Sequence, residues 1–109
     1  MKALLAGLLF VCTSAHAIYE NGNMVLRDIE GQGMARMYAL GYIVGVADSF
    51  NDNEALCIPG TVTKGQLNDV VHIYLKNSPQ VRDLPATILI MIALSEHWAC
   101  PDKPKRKKS

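Results

Sequence analysis

The first 17 residues carry the three parts of a secretory signal, and this pattern constrains the rest of the chain more than any other. Met1-Lys2 is a positive start, residues 3–11 form an apolar run, and Ala15-His16-Ala17 places small residues at the exit. The apolar run is shorter than the roughly 20 residues that cross a bilayer, so an uncleaved anchor is the weaker interpretation. We therefore expect export, cleavage after Ala17 and loss of Cys12. Cys12 is not interpreted as a lipid-modified N-terminus, because the valine before it is bulkier than a lipoprotein processing site requires.

Export would leave a small domain with two cysteines. Removing 17 of the 109 residues leaves 92, enough for one domain with a modest core. In an oxidising compartment, the pair Cys57 and Cys100 predicts a disulfide before it predicts a nucleophile or a metal site. In the chain-entropy model, a bridge across such a loop contributes roughly 4 kcal/mol to stability.

Charge is divided between the domain and a short tail. Residues 18–100 carry five basic and nine acidic side chains, whereas residues 102–108 carry five basic and one acidic. The tail, 101–109, contains two prolines and no apolar anchor, so we expect disorder. Such a run would bind nucleic acid in a cytosolic protein, but export argues against that partner. A solubilising or loosely adhesive tail is the favoured interpretation, and stable membrane insertion is not expected.

The apolar spacing predicts an all-α fold, a small bundle of three to four helices with one disulfide. The first strong helix covers about 33–50, with a shorter helix possible over 24–30, and Asn51-Asp52-Asn53 ends it. A second opens at Thr63, which forms a capping-box pattern with Gln66, and stops at 77–80.

The third predicted helix begins near Asp83, has Pro85 in its first turn and ends near Trp98. It is apolar on nearly every side, so either it is central or a partner covers it. If it pairs antiparallel with the second helix, Cys57 and Cys100 meet at one end.

Gly41 and Gly45 lie one helical turn apart and permit close approach of another backbone. One interpretation is a helix-packing or dimer face; the favoured one is ordinary close packing inside the domain.

Residues that could carry chemistry are few. His72 and His97 match no metal-ligand spacing, His72 is interpreted as a solvated helix residue, and His97 suits the last turn of a helix. The acidic group Asp48, Asp52 and Glu54 lacks the order of a calcium loop. It fits either a solvated turn or a negative loop that faces a basic partner. The residues therefore predict no metal, no cofactor and no enzymatic activity.

The chain nevertheless resembles a known family over residues 39–100. The residues that carry this resemblance are Gly41 to Asp48, Cys57-Ile58-Pro59, Val62-Thr63, Gln66-Leu67, Val70-Val71, Tyr74-Leu75, Pro79, Ala86, Ala93-Leu94 and Trp98-Ala99-Cys100. They resemble the Rap/Tai immunity family of small helical periplasmic proteins, which inhibit peptidoglycan amidases delivered by type VI secretion. A second cysteine pair common in that family is missing here, because residues 24–40 contain no cysteine.

The resemblance implies a protein inhibitor, often a homodimer, that blocks the groove of an amidase with a loop or helix end. The candidate contact residues belong to two connections between helices: Asp48, Asp52, Asn53 and Glu54 in the first, and Ser78, Gln80 and Arg82 in the second. An alternative is a periplasmic stress chaperone activated by acid, with the third helix as its client surface.

Overall fold

A computed structural model describes residues 19–53 and 55–101. The predicted signal, Glu54 and the basic tail after Pro101 lie outside these residues. The described part contains four helices and a short 3-10 turn, and its β pairing is limited to isolated bridges. These elements are α1 (Gly22–Ile29), α2 (Met34–Phe50), α3 (Lys64–Asn77), the 3-10 turn (Pro79–Val81) and α4 (Ala86–Trp98). The all-α prediction and the short first helix are confirmed.

Helix α1 is fixed at its N-terminus by a cap and by the distant turn before α4. The Asn21 side chain accepts a hydrogen bond from the Met24 N–H at 3.1 Å. The Gly22 N–H donates to the Leu84 carbonyl, and the neighbouring Asn23 N–H donates to the Arg82 carbonyl at 3.1 Å. The first N–H groups of α1 are therefore paired with the Asn21 side chain and with the turn that leads into α4.

Helix α2 begins after Gly33 and ends at Phe50, close to the predicted bounds. Gly33 has φ +62° and ψ −130°, a conformation that favours glycine and keeps this residue outside the helix. Asn51 is the C-cap, and Asp52 follows with φ +63°, which aspartate tolerates better than most residues. The predicted helix stop at 51–53 is therefore confirmed.

Helix α3 has the predicted capping box. The Thr63 hydroxyl accepts from the Gln66 N–H at 3.1 Å, and the Gln66 side chain accepts from the Thr63 N–H at 2.7 Å. Three residues at helical spacing, Leu67, Val71 and Leu75, are buried against the core.

Helix α4 begins later than predicted, at Ala86 and not near Asp83. Pro85 has an extended ψ of 138° and stands outside the helix, and a residue before proline is disfavoured in the helical region. Leu84 and Asp83 consequently belong to the turn.

The core gathers around α4, which was the first of the two alternatives that its composition left open. Ala86, Leu89, Ile90, Ala93 and Leu94 are buried there, together with Ile43 of α2 and Leu75 of α3. Helix α4 still keeps a solvent stripe, because Ile88 is 51% exposed and Ile92 is 38% exposed. Among the described residues, no helix is both long and apolar enough to cross a membrane.

Candidate protein interface

The acidic loop, residues 51–56, is attached to the end of α4 by a covalent bond and by backbone pairing. The predicted disulfide is present, with the Cα atoms of Cys57 and Cys100 separated by 4.8 Å. The Cys57 N–H donates to the Trp98 carbonyl at 2.8 Å, and Leu56 forms an antiparallel bridge with Ala99. The loop therefore leaves the body of the protein from a firmly held base.

Hydrogen bonds within the acidic loop hold its shape. The Asp52 N–H donates to the Leu56 carbonyl at 2.7 Å, and the Asn53 side chain bridges the Ser49 carbonyl and the Ala55 N–H, at 3.2 Å each. Asp52 and Asn53 are exposed, as is Asp48 on the last turn of α2. The predicted contact residues Asp48, Asp52 and Asn53 are thus brought together at one end of the molecule; Glu54 lies outside the described residues.

A shallow cleft borders the acidic loop. It has a volume of about 250 Å³ and lies between the second half of α2 and the segment 58–64. Its lining combines apolar side chains with the charged residues Asp48 and Lys64. Sequence reasoning missed this cleft, although Pro59-Gly60 marks the turn that forms one wall.

The second predicted connection, residues 78–84, is more closely integrated with the fold. Gln80 is exposed and Ser78 is half-buried. Arg82 is also half-buried, and its Nη1 donates to the Leu75 carbonyl at the C-terminal end of α3 at 3.5 Å, while its own carbonyl binds α1. The Arg82 side chain therefore helps to hold the turn together.

The two connections lie at different ends of α4. The turn precedes Ala86, and the acidic loop is joined to the residues after Trp98. Thirteen helical residues span about 20 Å, so the two connections do not form one compact site.

His72 is partly exposed on α3, and it also contacts the end of α1. Its Nε2 lies 3.0 Å from Oε2 of Glu30, at the end of α1, and Nζ of Lys76 lies 2.9 Å from the same oxygen. Hydrogen bonds from His72 and Lys76, in that order, lower the pKa of the Glu30 carboxyl. This cluster joins α1 to α3 and has a structural role.

The described part of the chain contains no candidate metal site. No group of three or more His, Cys, Asp or Glu side chains is placed there to hold a metal ion. His97 lies in the last turn of α4 beside the Trp98 ring, with ring centroids 5.7 Å apart.

The outer face of α2 is apolar and has no partner within the described protomer. Met34 is 64% exposed and Tyr38 is 59% exposed. A Cβ atom added at Gly41 or at Gly45 would meet no atom within 4 Å. The expectation that these glycines serve close packing inside the domain is therefore wrong, because the face they occupy points away from the core.

The described chain is a small helical domain closed by one disulfide, with an acidic loop beside a cleft. The family model described as Rap1a immunity proteins matches residues 8–100. The chain therefore belongs to the Rap1a immunity protein family, as the resemblance implied. Among curated proteins, the chain finds no match.

Family membership supports an immunity function against an effector of type VI secretion. Immunity proteins generally act by binding another protein and not by catalysis, so the implied partner is a toxin protein. Members are typically secreted or periplasmic, and the Cys57–Cys100 disulfide fits an oxidising compartment.

Proposed function

We propose that this protein binds a peptidoglycan amidase effector of type VI secretion in the periplasm and blocks the active-site groove of that enzyme. The observation that carries the proposal is the acidic loop, which the Cys57–Cys100 bridge holds in a protein of the Rap1a immunity family. Residues 1–17 would direct export and be removed, and residues 18–100 would form the inhibitory domain.

The acidic loop is a better inhibitory element than the turn before α4. Its internal hydrogen bonds and its disulfide base mean that little conformational entropy is lost on binding. The exposed carboxylates of Asp48 and Asp52 would attract a basic groove and accelerate association. Ser78, Gln80 and Arg82 remain the alternative contact set, although Arg82 is already engaged with the end of α3.

The test of this proposal is protection of living cells together with direct binding. The full-length protein is co-expressed with a periplasm-directed type VI amidase, and growth is measured. The same pair is then mixed in a calorimeter. We expect rescue of growth and a tight complex; cell lysis without any complex would contradict the proposal.

Two matched variants separate the candidate contact sets. The first variant combines Asp48→Lys with Asp52→Asn and makes the loop region more positive. The second variant combines Asp83→Lys with Asp69→Asn and makes the same change of charge elsewhere on the surface. All four positions are exposed, so both variants should fold. We expect the first pair to lower the association rate at least tenfold and the second to leave it within about twofold. The reverse pattern would place the contact away from the acidic loop.

The acid-activated chaperone is the second candidate, and exposed apolar side chains on α2 favour it. The proposed client surface is α4, which is buried at Leu89 and Ile90, so acid would have to release this helix before it could bind a client. The exposed side chains Met34 and Tyr38 of α2 would add to that surface. Suppression of client aggregation at pH 2 to 3 is the measurement, and an absence of suppression there would remove this candidate.

A further inference from the structure

We propose that the groove between α2 and the segment 58–64 binds a polypeptide segment of the partner that presents an apolar side chain between a basic and an acidic residue. In this arrangement the basic residue faces Asp48 and the acidic residue faces Lys64. The inference rests on the proposed function only where it assigns this segment to the amidase effector. It adds a contact surface beside the acidic loop and states the chemistry of what that surface receives.

The α2 groove consists of two hollows along one side of α2. One is the cleft of about 250 Å³ beside the acidic loop, and the other has a volume of about 190 Å³. The residues that line the smaller hollow are Met37, Leu40, Gly41, Val44 and Lys64. Val44 and Lys64 line both hollows, so the two are continuous. Lys64 therefore stands where they meet, and Asp48 lies in the cleft, about 6 Å along the helix from Val44.

Hydrogen bonds hold the wall of the cleft that faces α2. The Ile58 N–H donates to Oδ1 of Asn51 at 2.8 Å, which ties this segment to the end of α2. The Val62 N–H donates to the Pro59 carbonyl at 3.1 Å and closes the turn between them. The cleft is therefore formed in the free protein, and little conformational entropy is lost when a partner fills it.

The lining of the cleft suits an apolar side chain. Ala47 and Leu67 are buried, and Val44, Ile58 and Val62 are half-buried; all five line the cleft. An apolar cavity of about 150 Å³ accepts benzene, so a cleft of about 250 Å³ has room for one large side chain. Removing the half-buried apolar surface from water is favourable, which makes such a pocket suited to an anchoring residue of a partner.

The charges of Asp48 and Lys64 are the opposite of those that their helix positions favour. Asp48 lies in the last turn of α2, where a basic residue is favourable, and Lys64 is the first residue of α3, where an acidic residue is favourable. Within residues 19–53 and 55–101, neither has an ion-pair partner within 4.0 Å. Helix stability therefore does not account for these exposed charges, whereas a partner with a basic and an acidic group would complement both.

Capped peptides test this surface without any effector. The probes are acetylated and amidated pentapeptides of sequence Lys-Ala-Leu-Ala-Glu, Lys-Ala-Leu-Ala-Lys and Glu-Ala-Leu-Ala-Glu. Each is added to about 5 mM to the isotope-labelled periplasmic protein while backbone amide shifts are recorded, because a ligand that buries one side chain binds weakly. We expect the mixed-charge peptide to shift the amides of Val44 and Val62 and to bind at least about threefold more tightly than the others. Asp48→Lys should transfer this preference to the doubly acidic peptide.

A charge exchange tests the same surface in the complex. Asp48→Lys with Lys64→Asp leaves the net charge unchanged, and each new charge suits its helix end, so the variant should fold. Dissociation from a type VI amidase effector is followed by surface plasmon resonance. We expect the rate to rise at least about tenfold, because both local contacts become repulsive. The control is Asp69→Lys with Lys105→Asp, which also keeps the net charge and leaves every lining residue in place; its rate should stay within about twofold.

Failure of the α2 groove and failure of the inhibitor proposal give different results. If no amidase effector binds the wild type while the peptides show the expected preference, the groove is supported and its assignment to an amidase is wrong. An exchange variant that dissociates as slowly as the wild type would overturn the groove and leave the inhibitor proposal intact. Peptides that bind irrespective of their charges, or that leave the amides of Val44 and Val62 unshifted, would overturn the groove as well.

Discussion

Glu30, at the end of α1, and His72, on α3, form a hydrogen bond with 3.0 Å between Oε2 and Nε2, and Nζ of Lys76 binds the same oxygen at 2.9 Å. Because these partners lower the pKa of Glu30 below its ordinary value of 4.5, the pair stabilises the fold above about pH 4.5. That contribution is lost as the pH falls through the lower pKa of the folded state. Its size is modest, because all three side chains are partly exposed.

The first prediction concerns how the free energy of unfolding falls at acidic pH. Glu30→Gln should destabilise the protein at pH 7, and the loss should shrink as the pH falls through the lowered pKa of the folded carboxyl, so it should be smaller at pH 3. Urea unfolding at the two pH values measures this. Glu96→Gln, at an exposed position on α4, is the control and should shift both midpoints equally. An equal loss at both pH values for Glu30→Gln would show that the charge of Glu30 contributes nothing.

The second prediction concerns the disulfide. Cys57→Ser with Cys100→Ser should lower the free energy of unfolding by about 4 kcal/mol, because the bridge closes a loop of 43 residues. The measurement is urea unfolding of the oxidised protein and the variant. Hydrogen exchange of the Asp52 amide should also accelerate, since its bond to the Leu56 carbonyl lies at the base of the loop. A loss below about 1 kcal/mol would contradict the chain-entropy argument.

The third prediction contrasts two glycines. A Cβ at Gly22 would lie 2.5 Å from Cδ1 of Leu89 and 3.1 Å from the Arg82 carbonyl oxygen, so Gly22→Ala should cost about 1–3 kcal/mol. At Gly65 the nearest atom is 3.8 Å away, so Gly65→Ala should be neutral or stabilising by up to about 1 kcal/mol. Thermal unfolding of both variants checks the contrast, and similar values for the two would refute it.

The fourth prediction concerns Tyr19, which is 3% exposed and packs edge-on against Tyr42 with ring centroids 5.0 Å apart. Burial first, and then the neighbouring Asp28 carboxylate, raise the pKa of the Tyr19 hydroxyl to about 12. The associated stability is complete below about pH 10 and is lost as the pH rises towards 12. Ultraviolet titration should contain a late phenolate transition that disappears in Tyr19→Phe and persists in Tyr38→Phe; its persistence in Tyr19→Phe would contradict the assignment.

Local patterns predicted most of the secondary structure. The Thr63 and Gln66 capping box, the helix stop at Asn51 and the apolar face of α3 depend on residues within a few positions of each other, so the sequence contains the whole cause. The disulfide was predictable because the chain offered one pair of cysteines after the expected signal. The start of α4 was placed too early because Pro85 suits a first turn as well as a cap, and the contacts of the preceding turn with α1 are remote in sequence.

The sequence by itself determined the helical class, the disulfide and the acidic character of the loop, because composition and short-range spacing cause them. Only the tertiary structure decided which faces meet. It placed His72 beside Glu30 across 42 positions, turned Arg82 towards the end of α3, and left Gly41 and Gly45 facing solvent. An exposed glycine and a packed glycine have the same local sequence signal, and the packing of distant helices alone distinguishes them.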